Sequence, residues 1–354
     1  MDIAEMDAVM QERIEKFNQY VMSKDIDKMP IGLFSGKMGI CIYFYHQARY
    51  SENKDYKKFA DKLLESLYSQ LSTKSLVNLE DGFIGVCLGL NYLVENGFQK
   101  GNINHVLPEL DDKIFKTAWF ELIEDYSNPN EAMKSVFETA FYFSIRLQNT
   151  KLNKNNRFLF ESIVIKAINF IESTFNYTDK FFEPLSYSLN EYFLANYFYL
   201  LTFVYQLGFY NYKLDKIIDE IFPKLVTTYP LLQSNRIQLI AALEYLNAEF
   251  QRKCIDIYIA RLRRDIDYTQ MVTYEFRNKN LLLANGLCGM YLVQNIFFKK
   301  TELPNSLILN KIIQSELWDN IYIDDVKLNT ATGLFTGLAG IVLIYQDLIK
   351  NTIL

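Results

Sequence analysis

Residues 332–341 read TGLFTGLAGI and residues 32–40 read GLFSGKMGI, near opposite ends of a 354-residue chain. Each places glycines three or four apart directly ahead of an apolar run, Gly36 to Arg49 in one and Gly337 to Leu348 in the other. Glycine inside a helix costs roughly 0.8–1.0 kcal/mol against alanine, so its return at such openings has a geometric reason. Where helix N-termini converge, removing side chains lets backbones approach and lets the chain turn into the helix. Two further clusters, DGFIGVCLGL at 81–90 and ANGLCGMYL at 284–292, follow the same plan, and the four together hold 11 of the 14 glycines. With Gly36, Gly85, Gly286 and Gly337 taken as equivalent, the intervals are 49, 201 and 51 residues, six steps of about 50. Seven units follow. Three of them have small residues in place of glycine: Ser135 with Thr139 and Ala140, Ser186 with Ser188, and Ser234 with Ala241 and Ala242.

Between the clusters lie segments that are apolar on one face only. Phe59, Leu63, Leu67 and Leu71 recur among Lys57, Lys58, Asp61, Lys62 and Glu65. Leu214, Ile217, Ile218, Ile221, Phe222 and Leu225 repeat the pattern, and outer helices also fit 2–22, 104–122, 155–174, 252–266 and 305–318. Strand signals reduce to short alternations such as Tyr322 to Val326. The expected fold is all-α, an α/α toroid of seven inner and seven outer helices forming one domain over 1–354. An open superhelix of the same period would leave its apolar inner helices as a large exposed face.

Composition bounds the function. Half the residues are hydrophobic, with 27 Phe and 25 Tyr, enough for a large core. A net charge of −5 lacks the basic surface that nucleic-acid binding needs. Cys41, Cys87, Cys254 and Cys288 stand far apart with no CxxC pair, which predicts reduced thiols and a cytoplasmic protein. The uncharged stretches Tyr192–Tyr212, Asn280–Phe298 and Leu328–Gln346 approach the length of a membrane span. Their Asn, Gln and Gly content fits helices buried inside a protein better, so no membrane span is expected.

The four clusters and their spacing resemble the lanthionine synthetase C-like family, the cyclases of lanthipeptide biosynthesis, over essentially the whole chain. DGFIGVCLGLNYLVENGFQKGNINHVLPELDD resembles that family's second repeat, including its NG and KGN turns. The resemblance implies an α/α toroid with a cavity at one end. It also implies a zinc ion held there by two Cys and one His, which lowers the pKa of a peptide thiol for addition to a dehydrated residue. One family ligand sits in a Trp-Cys-Tyr-Gly motif, matched here by Leu232-Gln233-Ser234-Asn235; the other two sit in Cys-His-Gly, matched by Ala284-Asn285-Gly286. Neither retains a Cys or His. The expectation is therefore a zinc-less toroid that binds a peptide substrate or a modification-enzyme partner through its mouth, with Gln233, Ala284 and Asn285 at the family's ligand positions.

Other residues keep alternatives open. Cys87 and Cys288, each two past its cluster glycine, fall at one level of the ring but in units two and six; an active cyclase with an unusual metal set would draw on Cys288. Glu80 and Asp81 precede an inner helix and are mouth candidates, as is Asp324-Asp325. Paired carboxylates would suit a toroid glycoside hydrolase, although acids at a helix N-terminus also satisfy the helix dipole. Asp111-Asp112 is expected on a solvated helix face, His46 in the core and His105 and Cys254 on outer helices.

Overall fold

With proline and glycine scarce outside the clusters, little interrupts helix formation, and the described residues contain helices and turns but no strand. The computed structural model describes residues 3–71, 76–121, 129–175, 184–276, 280–297, 303–320 and 331–350. Asp324-Asp325 and Tyr322 to Val326 lie outside them. Contacts group the chain into two compact units, one of Met1–Lys100, Tyr268–Asn295 and Thr301–Leu354, the other of Gly101–Asp267 and Ile296–Lys300.

In chain order the helices are α1 (Ile3–Met22), α2 (Lys37–Ser51), α3 (Lys54–Gln70), α4 (Phe83–Glu95), the short α5 (Ile103–Val106), α6 (Pro108–Glu121), α7 (Pro129–Leu147), α8 (Lys154–Phe175) and α9 (Phe193–Leu207). They continue with α10 (Asn211–Leu225), α11 (Gln233–Phe250), α12 (Lys253–Leu262), α13 (Tyr268–Tyr274), α14 (Leu287–Phe297), α15 (Asn305–Ile313), α16 (Leu317–Asn320) and α17 (Leu338–Lys350). Seven of these are apolar and buried on nearly every side: α2, α4, α7, α9, α11, α14 and α17. In α2 every residue from Lys37 to Gln47 is buried. The seven helices α1, α3, α6, α8, α10, α12 and α15 bury one face only; α3 buries Tyr56, Phe59, Ala60, Leu63, Leu64 and Leu67 while its lysines stay in water.

One hairpin turn recurs in both units. After α2, Glu52 adopts a left-handed conformation (φ 56°) and Asn53 caps α3, its Oδ1 accepting from the Asp55 amide at 2.8 Å. After α11, Gln251 does the same (φ 52°) and Arg252 precedes α12. Such a two-residue link folds an outer helix back along its inner one.

Within the first unit, the first and last apolar helices pair. Gln47 of α2 and Gln346 of α17 exchange side-chain hydrogen bonds of 2.8 and 3.0 Å, and both residues are buried. An open superhelix keeps its terminal repeats apart, so this pairing favours closure.

Two expectations need correction. The helix of the second cluster starts at Phe83, with Gly82 rather than Gly85 as its N-cap. The first helical amide reaches back seven residues in each case: Lys37 to Pro30, Phe83 to Leu76 and Leu287 to Asn280. Gly82 is thus the counterpart of Gly36 and Gly286, which puts Cys87 level with Cys41, one turn deeper than Cys288. Spacing alone misled because Gly82, Gly85 and Gly89 stand three and four apart while Gly32, Gly36 and Gly39 stand four and three apart, so either Gly82 or Gly85 can be set against Gly36. The second correction is Asp111, which is 2% exposed and forms a 2.7 Å ion pair with Arg146 instead of facing water.

Candidate functional site

The glycine loops of the first unit lie side by side, tied through their backbones. Phe34 donates its amide to the Glu80 carbonyl (3.1 Å), Phe335 to the Phe34 carbonyl (3.0 Å) and Ala284 to the Phe335 carbonyl (2.9 Å). The order is second, first, seventh and sixth cluster, a continuous strip that passes through both ends of the repeat series. Glycine is required for this approach. A Cβ on Gly32 would stand 2.2 Å from the Glu80 oxygen, and one on Gly333 would stand 2.5 Å from the Phe34 oxygen. The Phe34 and Phe335 rings stack at 4.5 Å over the junction.

The residues singled out from sequence occupy this strip in different ways. Ala284 is partly buried and contributes its amide to the strip; Asn285, its neighbour, is exposed. Glu80 is half-buried with its carbonyl engaged, and Asp81 is exposed, its carboxylate accepting from the Ser35 hydroxyl at 3.4 Å. Cys87 and Cys288 are fully buried, and desolvation pushes the Cys288 thiol far above its ordinary pKa. A buried neutral thiol is a packing group, the opposite of the exposed thiolate that metal binding or nucleophilic attack requires. Cys254 is exposed on α12 and His105 is exposed on α5. His46 is in the core, where burial, with the nearby Arg49 charge, lowers its pKa to about 4, and its Nε2 meets the Tyr92 hydroxyl at 2.7 Å.

In the second unit, α11 opens with QSNRIQ, a run more polar than an apolar helix needs. Gln233 Oε1 accepts from the Asp267 amide (2.6 Å), Asn235 Nδ2 donates to the Pro184 carbonyl (3.0 Å) and Gln238 Nε2 to the Leu189 carbonyl (3.5 Å). Gln238 is 1% exposed, and its Oε1 is buried without a hydrogen-bond partner; the Tyr199 hydroxyl on α9 is buried in the same condition. Gln238 and Tyr199 belong to no motif in the sequence, and Asn235 enters it only as the last residue of the Leu232-Gln233-Ser234-Asn235 match. The available signal was the density of amides in a helix whose other positions are apolar.

These side chains do not fit a zinc ion. Ala284 has no ligand atom, Asn285 and Gln233 offer amides, and among the described residues no group of three His, Cys, Asp or Glu side chains is arranged to hold a metal.

No family model and no curated protein matches the chain. Among solved structures, nisin cyclase matches with a TM-score of 0.67, over 98% of this chain and 95% of that chain, at 15% sequence identity. The chain has the nisin cyclase fold. An α/α toroid of the lanthionine synthetase C-like type is therefore its architecture, in agreement with the glycine spacing. At this identity the likeness speaks for fold alone. No helix among the described residues is long and apolar enough to cross a membrane.

Proposed function

We propose that this chain is a zinc-less relative of the lanthipeptide cyclases that binds a peptide, or a peptide-modifying partner enzyme, at the loop end of its toroid. The observation that carries the reading is the replacement of every family ligand position by a group suited to hydrogen bonding or packing: Gln233, Ala284 and Asn285. An exposed amide such as that of Asn285 can pair with peptide backbone, which presents one donor and one acceptor per residue. The alternative of a cyclase that recruits Cys288 is disfavoured by that thiol's complete burial and raised pKa.

The test is metal analysis of the purified chain after dialysis, together with incubation on a dehydrated peptide containing Cys. The expected result is zinc far below one equivalent per chain and no thioether by mass spectrometry. One tightly retained zinc per chain with thioether formation would overturn the reading.

A further inference from the structure

Arg236 stands in the first turn of α11 and is only 6% exposed. Its Nη1 donates to the Tyr229 hydroxyl (2.5 Å) and the Arg264 carbonyl (3.0 Å), while its Nε is buried with no hydrogen-bond partner. Both acceptors are neutral, and among the described residues Arg236 forms no ion pair. Burial strips a guanidinium of its water, and buried arginines are ordinarily matched by an acid.

A second guanidinium shares the same aromatic ring. The Tyr229 ring centroid lies 4.9 Å from the Arg236 guanidinium carbon and 5.6 Å from that of Arg261. Arg261 is exposed, and its Nη1 also rests on a neutral acceptor, the Val226 carbonyl at 2.7 Å. Arg263, two residues on, shows the contrast: it pairs with Glu244 at 2.5 Å. Two like charges beside one ring, each held by neutral oxygens, repel unless an anion sits with them. Tyr229 is 38% exposed and its neighbour Leu231 85% exposed, so apolar surface borders the cations. Asp265 and Asp267 follow at the C-terminal side; Asp265 is exposed in a left-handed conformation, and the Asp267 amide is tied to Gln233.

We propose that Arg236 and Arg261, both beside the Tyr229 ring, bind a carboxylate of an acidic peptide segment. The guanidinium fork matches a carboxylate in plane, and Tyr229 with Leu231 supplies contact for the flanking side chains. The assignment rests on the peptide-binding reading above and specifies the charge of the peptide. It places recognition in this unit at the opening of α11, in the same turn as Gln233.

Titration calorimetry of the full chain with N-acetyl hexaglutamate amide tests it, with hexaglutamine amide and inorganic phosphate as controls. Hexaglutamate should bind, hexaglutamine should bind at least tenfold more weakly, and added salt should weaken the hexaglutamate complex. R261Q, at an exposed position, should lower hexaglutamate affinity at least fivefold while circular dichroism stays unchanged; R236Q, checked for folding in the same way, should lower it further. Absence of hexaglutamate binding, equal binding of both peptides, or an R261Q affinity equal to the parent's would overturn the proposal. Phosphate binding without hexaglutamate binding would also overturn it, leaving a small-anion site. Equal binding of both peptides removes this site but keeps the peptide reading, whereas retained zinc with thioether formation removes that reading and leaves the hexaglutamate result intact.

Discussion

The two units build the same helical hairpins but hold their loops by different means. The first carries 12 of the 14 glycines, and its loops meet backbone to backbone along Glu80, Phe34, Phe335 and Ala284. The second has only Gly101 and Gly208, and at α11 side-chain amides of Gln233, Asn235 and Gln238 bridge to neighbouring backbone. Removing Cβ atoms lets carbonyl and amide touch directly; keeping them holds the chains apart, and an amide side chain then spans the gap. The second arrangement has a consequence the first lacks. It brings polar side chains into a buried opening, and some of their atoms, such as Gln238 Oε1 and Arg236 Nε, are left for a ligand or water.

The sharpest way to test the dependence of the second unit on polar side chains is its buried ion pair. Arg146 donates to Asp111 through Nε and Nη2, and the Tyr142 hydroxyl bonds the same carboxylate. Arg146→Met strands the acid and should cost about 3–5 kcal/mol in chemical denaturation, while adding Asp111→Leu should recover much of that. If the single variant unfolds at the parent's midpoint, the pair is not the anchor described.

Next in size is an effect confined to the first unit. The lowered pKa of His46, about 4 against an ordinary 6.5, means that the unfolded chain binds a proton more readily than the folded one. Stability is therefore complete above pH 6.5 and falls by ~3 kcal/mol as pH drops from 6.5 to 4. Denaturant unfolding at both pH values should show this decrement in the parent and lose it in His46→Gln.

The smallest effect addresses the loops. Gly32→Ala sets a Cβ against the Glu80 carbonyl and should cost ~1–3 kcal/mol in thermal unfolding. Gly101→Ala, where nothing lies within 4 Å, should change stability by less than ~0.5 kcal/mol. Equal costs would mean that the glycines serve turn geometry alone and not close approach.

The repeat was legible because glycine has few reasons to recur ahead of apolar helices, and because amphipathic and fully apolar helices differ at the level of composition. Its register was less so. Three glycines at similar spacing in DGFIGVCLGL offered Gly82 and Gly85 as equally good starts, and only the backbone bond from Phe83 to Leu76 distinguishes them. Asp111 was misread for a related reason: a charged residue beside Asp112 reads as solvated until its partner, Arg146, thirty-five positions away, is known. Arg236 was not legible at all, since a lone arginine in QSNRIQ gives no hint that Tyr229 and the Arg264 carbonyl will enclose it.

By itself the sequence determined an all-helical chain and a period near 50, and it raised the expectation, from a family resemblance, that no Cys or His stands at that family's metal-ligand positions. These follow from local rules: side-chain periodicity, the cost of glycine in helices and the chemistry of a ligand atom. Tertiary structure decided which glycine starts a helix, which acid is buried and which buried arginine has no acid beside it among the described residues. Those depend on what comes within about 3 Å across long stretches of chain, a distance at which hydrogen bonds form or fail and which no local pattern encodes.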